Sequence, residues 1–566
     1  MDHKPWLKHY PKEIPHTLSY ESGLLQEILQ KTSEKYPDKT SLHFMGKELR
    51  YKELYESSLK LAGYLKQLGI KQGDRVAVML PNTPQTFISF FGILFAGGIV
   101  VMVNPMYTER ELVFQMKDSG AKAIVVLDIL YPRITKILNE TDLEHVIITE
   151  IKDYLPFPKN IIYPFMQKKQ YGYSVKVKHE GNNHLFREIM KNTVPFRTKA
   201  ADGEPESTAV LQYTGGTTGL PKGVMLTHTN LIANTKMCEA WMYRCEEGNE
   251  IILGALPLFH VYGLTTVMIL SIMQSQKAIL IPKPEPGILL KTIQNQRPTL
   301  FPGAPTMYIG LLNHPDLFKY DLSSIKCCIS GSAPLPVEVQ EKFESVTGGK
   351  LVEGYGLTES SPVTHANLIW DGKQVRGSIG IPWPDTLAEI RSLDTDEPLP
   401  PGEIGELVVK GPQVMKGYWN RQEETEKTLR DGWLYTGDLG YMDEEGYFYI
   451  VDRKKDMIIA GGYNIYPREI EEVLYEHPAV KEAAAAGIPD PYRGETVKAY
   501  VVLKEGWTVT EEELDRHLRK NLAAYKVPRL YEFRDELPKT TVGKILRRRL
   551  MEEELKKIKE RQEKKD

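Results

Sequence analysis

The sequence has few of the features that mark disulfide-bonded, zinc-binding or nucleic-acid-binding proteins. It contains four cysteines in 566 residues, none of them in a C-x-x-C pair. Such sparse use is typical of a protein from a reducing cytosol and argues against a zinc site. The 72 basic and 75 acidic residues give a net charge of −3, so no overall positive field predicts nucleic-acid binding.

Long uncharged runs are also scarce, and the N-terminal residues lack the apolar core of a signal peptide. One uncharged stretch, residues 87–103, falls short of the roughly 20 apolar residues of a membrane span. Gly97 and Gly98 interrupt it. We therefore predict a buried helix that ends at these glycines, followed by a buried strand over residues 99–103. A cytoplasmic protein is expected.

The residues that are present predict a globular α/β protein with at least two domains. The chain is 41% apolar and 26% charged, and its length exceeds one ordinary domain. Leu24, Leu25, Ile28 and Leu29 recur at helical spacing, whereas residues 123–127 form an apolar, strand-like run. This alternation over the first ~200 residues predicts layered α/β subdomains with mainly parallel sheets.

The C-terminal half of the sequence predicts two further structural units, a small β subdomain and a separate α+β domain. Short strands and Gly/Pro turns over residues 385–450 predict a small β subdomain. The charged cluster 452–456 marks a domain boundary, which divides the chain into a large domain, 1–453, and a small mobile α+β domain, 454–566. Within the small domain, Thr510 and Glu513 form a capping box that opens a helix. The charged run 551–566 is either a solvated helix or a disordered tail.

Residues 151–195 interrupt the α/β rhythm. They mix aromatic residues with lysines and do not fit a core assignment. Two alternatives remain open. The segment could lie on a membrane surface, with its aromatics at headgroup level and its lysines against anionic lipid. Alternatively, it is a surface loop packed on its own domain.

A glycine- and threonine-rich segment follows the apolar run 209–211. Glycines let several backbone N–H groups converge on one anion, while threonine hydroxyls and a lysine add donors suited to phosphate. No Gly-Lys-Ser/Thr tripeptide follows, so it is not the common P-loop. Taken alone, it could be an exposed turn. Its candidate phosphate-binding residues are Tyr213, Thr214, Gly215, Gly216, Thr217, Thr218, Gly219 and Lys222.

Five further motifs follow, each with a chemical interpretation. Within the third, residues 353–359, Tyr355 offers a face for a purine, Thr358 can donate to a phosphate, and Glu359 supplies the hard oxygen ligand that Mg²⁺ prefers. In the fourth, residues 433–438, Asp438 can accept hydrogen bonds from ribose hydroxyls. The motifs are Pro257-Leu258-Phe259-His260, Gly331-Ser332-Ala333, Glu353-Gly354-Tyr355-Gly356-Leu357-Thr358-Glu359, Trp433-Leu434-Tyr435-Thr436-Gly437-Asp438 with Arg453, and Pro538-Lys539-Thr540-Thr541-Val542-Gly543-Lys544.

Together these motifs resemble the adenylate-forming superfamily of acyl-CoA synthetases, luciferases and peptide-synthetase adenylation domains. The chain most closely resembles bacterial long-chain fatty acyl-CoA synthetases, in strings such as Lys410-Gly411-Pro412-Gln413-Val414-Met415. Gly215 stands where many relatives have serine. The resemblance implies ATP, Mg²⁺ and coenzyme A as cofactor and substrates.

The resemblance also implies individual roles. Lys544 bridges the carboxylate and the α-phosphate, His260 lies near the carboxylate, and Glu359 binds the metal. Gly331, Ser332 and Ala333 wall the adenine pocket, and Asp438 with Arg453 reaches the ribose. Lys455 is the hinge of a rotating C-terminal domain. Gly461 and Gly462 line the pantetheine passage, for which a plain β-turn is an equal alternative.

The implied reaction joins a long-chain fatty acid to CoA through an acyl-adenylate, releasing pyrophosphate and then AMP. A fatty acyl-AMP ligase that loads a carrier protein would share every ATP motif, and a non-catalytic lipid- or nucleotide-binding relative is a third hypothesis. Peripheral contact with the inner face of the membrane follows only if the first of the two alternatives for residues 151–195 holds. By analogy with relatives, a homodimer is an alternative to a monomer.

Overall fold

The structure, a computed structural model, describes residues 4–171, 175, 177, 181–196, 203–214, 221–460, 463–490, 493–540 and 545–563. Its α/β architecture confirms the predicted fold class. Across these residues, every helix is too short or too polar to cross a bilayer.

The strands alternate with helices along most of the large domain. The strands are β1 (Thr40–Phe44), β2 (Lys47–Arg50), β3 (Arg75–Met79), β4 (Ile99–Met102), β5 (Ala121–Leu127), β6 (His145–Thr149), β7 (Asn183–Leu185), β8 (Thr208–Thr214), β9 (Lys222–Thr227), β10 (Ile251–Gly254), β11 (Lys277–Leu280), β12 (Cys327–Ser330), β13 (Lys350–Gly356), β14 (Val363–Ala366), β15 (Ile381–Pro382), β16 (Leu387–Arg391), β17 (Gly405–Lys410), β18 (Gly417–Tyr418), β19 (Leu429–Arg430), β20 (Trp433–Met442), β21 (Phe448–Arg453), β22 (Ile458–Ala460), β23 (Tyr463–Ile465), β24 (Val480–Asp490), β25 (Gly494–Leu503) and β26 (Leu530–Phe533).

The helices cover both faces of these sheets. They are α1 (Leu25–Lys35), α2 (Tyr51–Gln67), α3 (Pro84–Phe95), α4 (Glu109–Ser119), α5 (Tyr131–Ile137), α6 (Lys159–Tyr171), α7 (Phe186–Asn192), α8 (His228–Trp241), α9 (Val261–Gly263), α10 (Leu270–Met273), α11 (Pro286–Gln296), α12 (Pro305–Leu312), α13 (Val337–Thr347), α14 (Gln422–Thr428), α15 (Pro467–Tyr475), α16 (Glu511–Asn521) and α17 (Arg547–Glu563). A π-helical turn, Leu264–Ile269, joins α9 to α10.

An eight-stranded sheet, ordered β18-β9-β8-β4-β3-β5-β6-β7, forms the centre of the large domain. From β8 to β7 the neighbouring strands run parallel. Every residue of α3 is buried against it, and the fully buried β4 follows. The prediction for residues 87–103 is therefore confirmed, because this apolar run belongs to the protein core.

Two smaller sheets complete the α/β part, and a separate β subdomain follows. The sheets are ordered β10-β11-β1-β2 and β12-β13-β14-β15, and the subdomain is β16-β17-β20-β19 with β21 on β20. The predicted β subdomain over residues 385–450 is thus confirmed. Residues 151–195 correct one expectation: Tyr154 and Phe186 are buried, so part of this segment does enter the core.

The tail beyond residue 454 has its own core, in which Leu514 and Leu518 of α16 pack under the sheet of β22 to β26. Thr510 caps α16 as predicted, accepting from the Glu513 N–H at 3.3 Å. The charged run 551–566 lies largely in α17, where the described part is helical and Glu554 pairs with the buried Lys498 at 2.7 Å. One face of this helix is therefore packed rather than solvated.

Arg547 links the tail to the end of the large domain. Its guanidinium lies 2.5 Å from Glu471, 3.2 Å from Asp456 and 3.8 Å from Asp452. Asp452 also accepts the backbone N–H of Arg468 at 2.8 Å. Burial raises the pKa of the Asp452 carboxyl to about 6, against the opposing effect of Arg547. The junction is thus a buried ionic cluster.

Candidate active site

The predicted phosphate-binding loop connects two paired strands. Thr214 at the end of β8 lies opposite Lys222 at the start of β9. Tyr213 donates its hydroxyl to Asp118 at 2.8 Å, which fixes the end of β8. Gly215, Gly216, Thr217, Thr218 and Gly219 lie outside the described residues. The loop therefore begins at the carboxyl end of β8, which is parallel to β4, and open α/β sheets bind ligands at such strand ends.

Lys222 and Glu359 are linked through Tyr418, and Lys222 is also paired with Glu424, two residues that the motifs did not predict. The Lys222 ammonium is 2.5 Å from Glu424 and lies 4.8 Å from the centre of the Tyr418 ring. Tyr418 in turn donates its hydroxyl to the Glu359 carboxylate at 2.8 Å. Burial, and then the charge of Glu359, raises the pKa of the Tyr418 hydroxyl. This hydroxyl therefore remains a donor to the candidate metal ligand.

Pairing of β18 with β9 brings these residues together. Tyr418 is opposite Val224, two residues beyond Lys222. The backbone N–H of Met415 also donates to the Glu359 carbonyl at 2.8 Å, which ties the segment before β18 to the third motif. A two-residue strand leaves no periodic signal in a sequence, so this contact could not be read from the pattern.

A second cluster joins the third and fourth motifs. Tyr355 donates its hydroxyl to Asp438 at 2.5 Å, and the Arg453 guanidinium lies 3.2 Å from the other Asp438 oxygen. Asp438 and Arg453 are direct partners in the β20–β21 pairing. Asp438 raises the pKa of Arg453, and burial raises that of Tyr355. The residues predicted for the ribose and the purine are therefore adjacent.

The end of β13 and the end of β12 form the adjoining wall. Glu353 is buried in β13 and accepts the Leu335 N–H at 3.3 Å. Burial raises the pKa of the Glu353 carboxyl to about 7, against the opposing charge of Arg468. At Gly356 a Cβ would lie 2.0 Å from the Pro362 carbonyl oxygen, so only glycine fits there.

The remaining residues of these two motifs occupy the same strand ends. Gly331, Ser332 and Ala333 follow β12 directly, and Ser332 adopts a left-handed conformation with φ of 73°. Gly354 lies in β13, and Thr358 opens a short 3₁₀ helix, Thr358–Ser360. The chain thus brings the second and third motifs to one edge of the sheet.

His260 caps the start of α9, where its Nδ1 accepts the Tyr262 N–H at 3.3 Å. Gln212, next to Tyr213 in β8, donates to the Phe259 carbonyl at 2.8 Å. The Leu258 N–H donates to Asn82 at 3.0 Å. These contacts hold the first motif beside β8, from which the predicted phosphate-binding loop leaves. Gln212 was missed because a buried strand glutamine carries no motif of its own.

A small apolar cavity of about 30 Å³ lies behind this wall. Tyr262, which follows the first motif, donates at 2.7 Å to the carbonyl of Ile329, one of the residues that line the cavity. The cavity is lined by Cys238, Met242, Ile252, Thr266, Leu270 and Ile329, among others. No charged side chain contributes to its lining, and its volume is that of one small group rather than of an acyl chain.

Lys455 follows Arg453 at the entrance of the tail. Burial, and then the charge of Arg453, lowers the pKa of the Lys455 ammonium. Lys544, Gly461 and Gly462 lie outside the described residues, so their roles stay predictions. Arg547, three residues beyond Lys544, is bound at the domain junction described above. Through Asp456, Arg547 is therefore held close to Lys455, the predicted hinge.

Comparison with known proteins identifies the family to which the chain belongs. The family of AMP-binding enzymes matches residues 29–419, and its C-terminal domain matches residues 469–544. The chain therefore belongs to the AMP-binding enzyme family. It is 60% identical to a long-chain-fatty-acid–CoA ligase of Bacillus subtilis (strain 168), over 97% of this chain and 98% of that protein.

Further relatives and solved structures extend the match. A long-chain-fatty-acid–CoA ligase of Escherichia coli O6:H1 is 43% identical, over 97% of this chain and 98% of that protein. The crystal structure of ATP-bound MatB from Rhodopseudomonas palustris superimposes with a TM-score of 0.81 at 30% identity, covering 93% of this chain and 98% of the other. Sequence and fold therefore point to the same family.

Proposed function

We propose that the protein is an ATP-dependent long-chain fatty acid:CoA ligase. It converts fatty acid, ATP and CoA to acyl-CoA, AMP and pyrophosphate through an acyl-adenylate. The observation that carries this proposal is the convergence of two preassembled clusters: Asp438 with Tyr355 and Arg453, and Glu359 with Tyr418 and Lys222. The extended identity to long-chain-fatty-acid–CoA ligases supports the substrate class.

The donor set fits a nucleotide and its magnesium ion. In the described part of the chain, no three His, Cys, Asp or Glu side chains are grouped to hold a metal. A single carboxylate, Glu359, suits Mg²⁺, which is usually held by one or two carboxylates, phosphates and waters. Bound Mg²⁺ would neutralise phosphate charge. Two buried side-chain oxygens without a hydrogen-bond partner, on Ser330 at the end of β12 and on Gln212 in β8, provide further acceptors.

The chain's own residues would bind the nucleotide, orient the fatty-acid carboxylate and neutralise the charge that develops on the α-phosphate. We assign the nucleotide to Tyr213, Thr214, Gly215, Gly216, Thr217, Thr218, Gly219, Lys222, Gly331, Ser332, Ala333, Glu353, Gly354, Tyr355, Gly356, Thr358, Asp438 and Arg453. His260 orients the fatty-acid carboxylate at the cavity side of the site. Lys544 offsets the negative charge that builds on the α-phosphoryl oxygens during attack by the carboxylate.

Two half-reactions would share one site by domain movement. The large domain, 1–453, holds the nucleotide, and the tail, 454–566, carries Lys544 and turns about Lys455. A hinge needs only a few residues that absorb the change in φ and ψ. After rotation, Gly461 and Gly462 would line the passage for pantetheine, since residues without side chains leave room for a narrow ligand.

AMP formation against a C2–C20 fatty-acid panel, with and without CoA, tests the function. We expect CoA-dependent turnover that is highest with long chains, and a fall of about 10²–10³ in acyl-adenylate formation for Lys544→Ala. Lys539→Ala is the matched control in the same segment. Adenylate without thioester formation would instead indicate a carrier-loading acyl-AMP ligase. Absence of pyrophosphate release would indicate a non-catalytic binder, and undiminished Lys544→Ala would refute the assigned role.

Peripheral association with the inner face of the membrane is a further part of the proposal. It is supported by the amphiphilic substrate class and by the aromatic and lysine content of residues 151–195. A homodimer stays a prediction from analogy alone. Analytical ultracentrifugation across a concentration series would decide between monomer and dimer.

A further inference from the structure

Helix α6 exposes four apolar side chains to solvent, whereas its Gln167 is buried against the protein. Gln167 is buried and donates to both Asp128 oxygens, at 3.0 and 3.3 Å. On the opposite face Ile161, Ile162, Phe165 and Met166 are 57%, 49%, 74% and 61% exposed. A surface helix of a globular protein normally has the reverse arrangement.

The exposed apolar face continues beyond the helix. Phe157, just before α6, is 79% exposed, and Met45 in the β1–β2 turn is 40% exposed. Lys159 joins the two parts by donating to the Met45 carbonyl at 2.9 Å. We call these six residues, Met45, Phe157, Ile161, Ile162, Phe165 and Met166, the α6 patch. Single exposed apolar residues are common, but a contiguous group marks an interaction site.

The charges within the helical segment of the α6 patch have one sign. Residues 154–171 contain three lysines, Lys159, Lys168 and Lys169, and no acidic residue. All three lysines are exposed. A two-fold contact between copies of this chain would bring the same lysines together without acidic partners from this segment. An apolar face rimmed by lysines instead matches an anionic phospholipid surface, whose headgroups attract the cations while its acyl region receives the side chains.

The position of α6 relates the patch to the active site. Strands β5 and β6 are parallel to β8 in the same sheet, so they end at the edge from which the phosphate-binding loop leaves. The chain enters α6 soon after β6. Four strand steps separate β6 from β8, which corresponds to about 19 Å. Gln85 also ties the end of β6 to α3, donating to Thr149 at 3.1 Å and to the Glu150 carbonyl at 3.0 Å.

We propose that α6 is a membrane-docking helix that inserts the α6 patch into the interface of an anionic bilayer. Gln167 and Lys159 hold it to the domain by polar bonds, which leaves its apolar face free to enter lipid. Docking would place the edge of the sheet that carries the catalytic site near the bilayer from which a fatty acid is drawn. That last consequence rests on the proposed ligase function, whereas docking itself does not.

Vesicle flotation of the full chain tests the proposal. The probes are phosphatidylcholine vesicles with and without phosphatidylglycerol, at low and high salt. We expect binding to the anionic vesicles, reduced at least about tenfold in the double variant Ile161→Gln/Phe165→Gln. Phe318→Gln is the matched control, because Phe318 is 85% exposed on another surface. Lys168→Gln/Lys169→Gln should remove the salt dependence, whereas Lys291→Gln/Lys342→Gln should not.

A parallel assay separates docking from chemistry. Ligation of a water-soluble medium-chain acid without vesicles should be the same in the α6 variants and the unaltered chain, because α6 carries no assigned catalytic residue. Equal vesicle binding by Ile161→Gln/Phe165→Gln and the unaltered chain would overturn the proposal, as would no binding by the unaltered chain. If the double variant instead converts a dimer to a monomer and no form binds vesicles, the patch is a subunit interface and the proposal is wrong.

Discussion

Replacing Tyr418 with phenylalanine removes one hydroxyl and leaves the ring beneath Lys222. The lost contact is the 2.8 Å hydrogen bond to the Glu359 carboxylate. Hydrogen bonds to charged groups are worth about 1.5–3 kcal/mol. Since about 1.4 kcal/mol corresponds to a factor of ten, we expect the Mg²⁺ concentration for half-maximal activity to rise about 10- to 150-fold, through loss of Glu359 orientation.

Two measurements check this prediction. The first is pyrophosphate release as a function of free Mg²⁺ at saturating ATP and fatty acid. The second is the thermal stabilisation that ATP gives with and without Mg²⁺, which reports binding rather than turnover. Tyr435→Phe is the matched control, because its hydroxyl donates to Asp396 at 2.8 Å outside the candidate site. We expect this control to leave both measurements unchanged.

A double-variant cycle sharpens the argument. If Tyr418 acts through Glu359, Tyr418→Phe should have little further effect on Mg²⁺ dependence in a Glu359→Gln background. Full additivity of the two effects would show that Tyr418 acts elsewhere. An unchanged Mg²⁺ requirement in Tyr418→Phe alone would refute the positioning role, whatever happens to the maximal rate.

Two further predictions concern a buried carboxyl and the apolar cavity. Burial raises the pKa of Glu353 to about 7 from an ordinary 4.5, so its favourable contribution is present below about pH 4.5 and is lost as the pH rises through 7. Between pH 5 and 8 the free energy of unfolding of Glu353→Gln should therefore rise, relative to that of the unaltered chain, by up to about 3 kcal/mol. The difference in Tm between the two proteins should widen accordingly, whereas the exposed Glu338→Gln should show no such widening. A constant difference for Glu353→Gln would contradict the prediction. Thr266→Leu removes the hydrogen bond of the Thr266 hydroxyl to the Tyr262 carbonyl, 2.6 Å long, and crowds the cavity of about 30 Å³. The free energy of unfolding should therefore fall by about 1–3 kcal/mol, seen as a lower Tm, and an unchanged Tm would contradict the prediction.

Local sequence patterns were sufficient for many elements of the fold. The predicted strand over residues 99–103 corresponds to β4, and the capping box at Thr510 opens α16. These features depend on neighbours within a few residues, so their signals are contained in short windows. The third and fourth motifs also lie together, because the Tyr355 hydroxyl near the end of β13 donates to Asp438 within β20.

Contacts between distant segments could not be predicted in the same way. Tyr418 reaches Glu359 only because a two-residue strand pairs with β9, and Gln212 reaches the His260 segment across 47 residues. The orientation of α6 was equally hidden. Its apolar spacing describes a face, but the partners of Gln167 decide which face turns inward. Tyr154 and Phe186 likewise enter a core that the mixed composition of their segment did not indicate.

The junction at Asp452 has a consequence for turnover. Its partners Arg468 and Arg547 both lie beyond Lys455, so a turn of the tail about that hinge would separate the carboxyl from both and admit water. Hydration returns its proton affinity toward that of a free aspartate, so opening releases a proton between about pH 4 and 6. Mild acidification would therefore disfavour opening of the junction and slow the proposed rotation of the tail between the two half-reactions.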